Sequence, residues 1–522
     1  MRLLLSILVT LSVYGSRCNG LRILGLFPLN GKSHWVMGEQ LMISLANRGH
    51  QVDVVTHFPL KKPPANYREI SLEGSLEPVV NNMNASLIER ISTNDMRSLV
   101  YMAGDRICSL MEHEKLQQLI KNPPKNPPYD LIIVELFVAP CYLAFGTHLS
   151  APMIGVMTSS FHEWEASLTG NPHHPSFVPS IFSPFDQQMT FWERLMNTFL
   201  TNLISAQLNY QTAKQVDYVK QHFDTNATIA ELYKNLAAIL VNSHHSVNGI
   251  KPMTPGIIEV GGLHVKDETA SLPPEVQKWL DESTHGCIYF SFGSMVRIET
   301  FSKPLIETFY KVFEKIAPVR VLMKIAKKED LLPGLPKNVM TQPWFSQVSV
   351  FKHKNTKAFV THGGLMSTQE AIYFGIPMIG IPLFGDQLTN MRNMNNKKIA
   401  VNLGSTENIT IETLSSAVHT ILHDETYRTN AKKLSLQFKD RPMTAIDTAI
   451  FWVEYVARHG YILQSPAVHL AWWEQGLWDV YGFVFAGLIA VLGALVYIVQ
   501  KYINGHRSRS KRHSNSQSKK RK

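Results

Sequence analysis

The chain has 522 residues, 45% of them hydrophobic and 18% charged, which excludes a disordered chain and exceeds what one compact core accommodates. Its net charge of +10 suggests a nucleic-acid partner. However, nine Lys and Arg and no acidic residue fall in the last 22 positions, so the body is close to neutral and lacks the basic surface such a partner needs.

Taken in chain order, Met1-Arg2 and the apolar run Leu3–Tyr14 read as a signal peptide, cut after Gly20. Strand 22–27, a Pro-Gly loop to Ser33, a helix from His34 to Arg48 and strand 52–56 make a βαβ start without GxGxxG, so no dinucleotide is implied. Further strands are expected at 129–134 and 153–157. Mostly helical spacing follows from Phe161 to Lys234, with a Pro- and His-containing insertion at 171–184 placed to cover a substrate. A second α/β series begins at 287–292 and continues through 319–324, 358–361 and 378–381. Two such halves leave a cleft at the carboxyl ends of their strands, where ligands bind.

The run 480–499 is long enough to span a bilayer, with Trp478 and Tyr502 at interfacial positions. The basic tail after it places the tail in the cytosol and the body on the other side. The ending Lys519-Lys520-Arg521-Lys522 resembles a dilysine retrieval signal, which points to the endoplasmic reticulum and a type I, luminal body. Asn84, Asn226 and Asn408 begin glycosylation triplets. The expected organisation is therefore 1–20 signal peptide, 21–265 acceptor-binding domain, 266–465 nucleotide-sugar domain, 466–479 membrane-proximal segment, 480–499 membrane helix and 500–522 tail.

Of four cysteines, Cys18 is expected to leave with the signal peptide; the remaining Cys108, Cys141 and Cys287 make neither a disulfide framework nor a CxxC site, so at most one pair forms, and the sequence does not choose it. The adjacent pairs His173-His174 and His244-His245 have no second pair of ligands nearby, so no metal is expected.

The informative stretch is 344–387. A strand ending at Thr361 runs into His362-Gly363-Gly364 and then a helix, whose N-terminus offers unpaired N–H groups and a positive dipole end suited to a diphosphate. His362, Ser367 and Thr368 add donors. Ser291-Phe-Gly293-Ser294 is a second anion-friendly turn after a strand.

These residues, with Gly31-Lys-Ser-His34, Val260-Gly-Gly-Leu-His264, Phe290–Ser294 and Ser465–Trp472, resemble the signature of the animal microsomal UDP-glycosyltransferases, closest to the insect branch. The resemblance covers most of the chain. It implies two Rossmann-like α/β domains facing a cleft (the GT-B type) with one C-terminal membrane helix. It implies that Trp344 stacks on uracil, Gln347 bonds the base edge, Glu370 takes the ribose hydroxyls, and Asp386 and Gln387 hold the sugar. It places the general base at His34, near a helix N-terminus that disfavours imidazolium. The family's partner carboxylate, usually Asp, falls at Glu135, one methylene longer, which puts the pairing geometry in question. The implied reaction is inverting transfer of a sugar, glucose by the insect likeness, from a UDP-sugar co-substrate to a small lipophilic hydroxyl compound, for conjugation or detoxification. No separate cofactor and no nucleic acid enter, and a homo-oligomer is left open. The alternative is a nucleotide-sugar-binding membrane protein of the same fold with weak or no turnover, which Glu135 favours.

Overall fold

The computed structural model describes residues 20–92, 96–266 and 271–519. Cys18, the signal-peptide reading and residues 520–522 of the tail lie outside the described residues. The chain divides into a body ending at Ser465 and a C-terminal unit from Pro466.

The body holds two parallel sheets. The first comprises β1 (Arg22–Phe27), β2 (Gln51–Thr56), β3 (Tyr67–Ser71), β4 (Leu131–Glu135), β5 (Met153–Met157), β6 (Leu236–Val241) and β7 (Ile257–Glu259). Its order is β3-β2-β1-β4-β5-β6-β7. The second comprises β8 (Cys287–Ser291), β9 (Arg320–Lys324), β10 (Val339–Gln342), β11 (Thr356–Thr361), β12 (Met378–Gly380) and β13 (Ala400–Asn402), in the order β10-β9-β8-β11-β12-β13. Runs such as LIIVE and CIYFS carry no alternation because these strands are buried on both faces. The sequence reading omitted β3, β6, β7, β10 and β13, mostly short or edge strands, although LAAILV of β6 is fully buried.

Strand order reverses beside β1 and again beside β8, and such switch points open crevices at the carboxyl ends of the strands. His34 lies in the first turn of helix α1 (Lys32–Asn47), which follows β1. Glu135 ends β4, the strand hydrogen-bonded to β1. In the second sheet the turns 291–294 and 362–364 leave the paired strands β8 and β11 side by side.

Two stretches depart from a division of the body at residue 265. Met83 and Ile88 join the core of the second sheet, and Asn81 and Met83 donate backbone N–H groups to Ser294 and Met295. Helix α5 (Ala445–His459) returns to the first sheet, where Ala449, Ile450, Val453 and Val456 pack with residues of α1, β1 and β2. The apolar stripe of α5 recurs at helical spacing, and its complement is the outer face of the first sheet.

The insertion 171–184 is held in place from both sides. Asn197 of helix α2 (Phe191–Thr212) bonds the backbone of Pro175, Val178 and Ser180. In the other direction, Thr389 and Arg392 of helix α4 (Gln387–Asn396) donate to the carbonyls of Ile181 and Ser183. Cys108 and Cys141 form a disulfide, and Cys287 is buried and free.

In the C-terminal unit, helix α6 runs from Trp478 to Lys519, so the expected span 480–499 lies in the N-terminal half of one longer helix. Its stretch Trp478–Ser510 is long and apolar enough to cross a membrane.

Candidate active site

At the end of the first sheet, Nδ1 of His34 lies 2.8 Å from Oε1 of Glu135 and 2.9 Å from Oγ1 of Thr158. A carboxylate only accepts, so the proton sits on Nδ1 and Nε2 is left as the basic nitrogen of the ring. Glu135 is buried and His34 partly exposed, so the pair points one basic nitrogen outward from a fixed carboxylate. The extra methylene of Glu135 therefore does not prevent pairing. The Phe137 ring lies 5.2 Å from His34, and His162 continues the aromatic wall, stacked at 4.1 Å on Trp164.

Opposite them stands Asp386 at the start of α4. Burial raises its pKa, and the nearby Asn390, His162 and His34 partly offset this. Asn390 Nδ2 donates to Oδ2 of Asp386 (2.9 Å) and to the carbonyl of Gly363 (3.0 Å), which couples this carboxylate to the glycine turn. Gln387 uses its side-chain oxygen to accept from the backbone N–H groups of Leu383 and Phe384, at 2.9 and 3.1 Å. Only its amide N–H₂ is left for a ligand.

The glycine turns enclose the His362 ring. A Cβ on Gly293 would stand 2.8 Å from this ring and one on Gly364 2.7 Å from it, and Gly293 and Gly363 take positive φ, so both turns need glycine. Burial, with the Lys324 charge nearby, pushes the His362 pKa down to about 4, so the ring is neutral. Its Nδ1, Thr368 Oγ1 and Ser294 Oγ are buried without hydrogen-bond partners among the described residues. Such atoms cost stability unless a ligand uses them. Ser294 and His362 belong to the two glycine turns and Thr368 to helix α3 (Leu365–Tyr373), whose N-terminus follows Gly364 and favours an anion. Ser291 accepts from the Gly293 N–H (3.3 Å) and shapes its turn, while Ser367 lies in the first turn of α3.

Gln347 donates to Oε2 of Glu370. Burial raises the Glu370 pKa to about 7, and the Gln347 bond lowers it only in part. His264, 3.7 Å from Glu370, is pushed down to about 4 by burial and so offers no compensating cation. Trp344 is 57% exposed, which rules out a core role and leaves its ring faces open.

Comparison with known proteins resolves what this geometry belongs to. The family described as "UDP-glucoronosyl and UDP-glucosyl transferase" matches residues 24–512. The chain belongs to that family. It is 36% identical over 516 residues to UDP-glucosyltransferase 2 of Dactylopius coccus, covering 97% of this chain and 98% of the relative. It is 29% identical to UDP-glucuronosyltransferase 2A3 of Mus musculus, covering 90% of each. Among solved structures, Arabidopsis thaliana UGT89C1 complexed with UDP-L-rhamnose aligns with a TM-score of 0.56 at 15% identity, covering 84% of this chain and 99% of that one. The glycotransferase of kitacinnamycin aligns at 0.53, also at 15% identity. The fold is thus the two-sheet GT-B type, and the protein is a UDP-glycosyltransferase that transfers sugar from a UDP-sugar.

The sequence reading missed several groups at this glycosyltransferase site. Thr158, the second neighbour of His34 Nδ1, directly follows β5, where the rule of carboxyl strand ends would have found it. Gln369 joins the halves, donating to the Asn242 carbonyl (3.2 Å) and accepting from the Gly262 N–H (3.0 Å). Lys324, at the end of β9, donates to Asn81, and burial lowers its pKa to about 8. No local motif marks Gln369 or Lys324. Asn84, Asn226 and Asn408 are all exposed on the body. Among the described residues no group of His, Cys, Asp and Glu is arranged to hold a metal ion.

Proposed function

We propose that this glycosyltransferase moves glucose, with inversion, from UDP-glucose to the hydroxyl of a small lipophilic acceptor, with His34 as general base. The observation that carries the reading is the His34–Glu135 contact at 2.8 Å, which leaves Nε2 facing the cleft side as a base. Nε2 takes the hydroxyl proton as the acceptor oxygen bonds to the anomeric carbon. The bond from that carbon to the diphosphate oxygen breaks, and Glu135 stabilises the imidazolium formed. The charge that develops on UDP meets the α3 N-terminus and the donors of Ser294, His362 and Thr368. Trp344 and Gln347 hold the uracil, Glu370 the ribose, and Asp386 and Gln387 the sugar. In this scheme fixed donors do the work without a cofactor.

Glucose is preferred over glucuronate because of the high likeness to an insect glucosyltransferase. The acceptor side supports a lipophilic compound, since Phe137 and Trp164 line the wall behind His34. We place the enzyme in the endoplasmic reticulum membrane as a type I protein with a luminal body acting in conjugation. The Cys108–Cys141 disulfide suits an oxidising lumen, and the basic residues that follow the apolar span, from Lys501 onward, suit the cytosol. A panel of UDP-glucose, UDP-glucuronate and UDP-N-acetylglucosamine, assayed on microsomes with a mixed phenol library, tests this. Turnover should be highest with UDP-glucose; preference for another donor refutes the glucose assignment, and absence of turnover with all donors refutes the enzyme scheme.

A further inference from the structure

Lys324 is a buried cation beside the glycine turns, only 2% exposed, and it takes no part in the transfer scheme. Met323 of β9 pairs with Phe290 of β8, so Lys324 stands beside Ser291 at the carboxyl end of the sheet. Its charge reaches His362 and helps to keep that ring neutral. An ammonium carries three N–H donors. Among the described residues, one acceptor is bonded to it, the side-chain oxygen of Asn81. The carboxylate nearby, Glu299, already accepts from Arg297 Nε and from the backbone N–H groups of Ala326 and Lys327. A buried cation with a neutral partner and donors to spare costs stability unless an anion joins it.

Asn81 lies 243 positions before Lys324, on a strap of residues 77–83 that follows β3. One end of the strap is bonded to the loop ahead of His34. The Val79 N–H donates to the Asn30 carbonyl at 2.7 Å, and Asn30 Nδ2 donates to the Glu77 carbonyl at 2.6 Å. The other end runs beside the turn after β8, where the Asn81 N–H donates to the Ser294 carbonyl at 2.8 Å. Asn81 has a φ of 51°, in the left-handed region that Asn tolerates better than most side chains. One residue thus touches the cradle twice, with its backbone on Ser294 and its side chain on Lys324.

We infer that Asn81 is a positioning residue for the donor: it aims the Lys324 ammonium at the diphosphate and fixes the Ser294 turn. The inference rests on reading the glycine turns as the diphosphate site. A neutral amide suits the task, because it orients the ammonium and leaves its charge for the anion, whereas a carboxylate would cancel that charge. The remaining N–H groups of Lys324 would meet phosphate oxygens in charge-assisted bonds, about twice as strong as neutral ones. Donor affinity is therefore set in part by the first half of the chain, through the same strap that holds the loop ahead of His34.

The test measures UDP affinity by calorimetry on the full-length protein in detergent micelles, with uridine, measured by displacement, as the probe that lacks phosphate. Asn81→Gly removes the side-chain acceptor and keeps the left-handed backbone, which glycine adopts freely. It should weaken UDP binding about tenfold, the worth of one hydrogen bond to a charged group, and leave uridine binding unchanged. Lys324→Met should weaken UDP binding at least as much. Asn81→Gly added to it should cost nothing further, because a residue acting through Lys324 then has nothing to position. Wild-type UDP affinity in Asn81→Gly beside a loss in Lys324→Met overturns the positioning role alone. Equal losses for UDP and uridine show a general disturbance of the fold and overturn it too. So does a loss in Asn81→Gly that Lys324→Met does not share, or that persists in full in the double variant, since Asn81 then acts apart from Lys324. If Lys324→Met and Thr368→Val both bind UDP as the wild type does, the reading of the glycine turns has failed, and the positioning role with it.

Discussion

The two ends of the cleft are built on opposite principles. On the first sheet, the chemical group is paired: His34 Nδ1 has both Glu135 and Thr158 within 2.9 Å. On the second sheet, three polar atoms around the glycine turns, Ser294 Oγ, His362 Nδ1 and Thr368 Oγ1, are buried with no partner among the described residues. Under the proposed roles, the difference is that between a proton acceptor oriented before its substrate arrives and a diphosphate cradle whose donors stay uncommitted until the anion takes them. Substitutions on the first side should therefore change turnover, and those on the second should change affinity.

The largest expected effect breaks the pairing outright. His34→Ala should lower turnover by about 10²- to 10⁴-fold, with UDP affinity by calorimetry unchanged. Equal turnover in a folded variant would place the base elsewhere. Glu135→Gln should slow turnover less, because the amide still occupies the position but no longer stabilises the cation. Glu135→Asp sharpens the comparison: the shorter side chain loses the 2.8 Å contact at fixed backbone and should also be slower than wild type. An Asp variant faster than wild type would mean that the longer acid is a handicap in this chain.

On the second side, Trp344→Ala should weaken UDP binding by about 1–3 kcal/mol, the worth of one aromatic–base stack. Turnover at saturating donor should hold, and a loss of turnover without loss of affinity would contradict the division of labour. The smallest effect is a pH dependence. With its pKa raised to about 7, Glu370 is protonated below neutrality and is then a poorer acceptor for ribose hydroxyls. UDP affinity should fall between pH 8 and pH 6 by a component absent from Glu370→Gln. The stability term has the opposite sign. The folded chain keeps this proton up to about pH 7 while the unfolded chain releases it near 4.5, so the group favours folding most at low pH and loses that contribution as pH rises through 7. Urea titrations at pH 5 and 8 should show Glu370→Gln relatively stabilising at the higher value.

Legibility in the sequence follows the same divide. The donor half concentrates its chemistry in one stretch, 344–387, and glycines there betray a close approach of backbone to ligand. The proposed base was reached through the resemblance at Gly31–His34, but its contact with a carboxylate 101 positions away is a property of β1 and β4 lying side by side, which local patterns do not encode. Gln369 was invisible for that reason: it sits within the signature, yet its role depends on Asn242 and Gly262 across the cleft. The exposed apolar residues of α2, Trp192 and Phe199 among them, read as helical spacing in general, because spacing alone does not distinguish a face turned to the core from one turned outward.

Helix α5 has a consequence for how the enzyme is made. The first sheet is complete as strands once β7 has been synthesised, at residue 259, yet part of its outer covering is contributed by Ala449, Ile450, Val453 and Val456. A chain synthesised from the N-terminus therefore carries an unfinished apolar surface while nearly 200 further residues follow. The first half to be synthesised is among the last to be sealed, and for that interval its outer face is a natural client for chaperones.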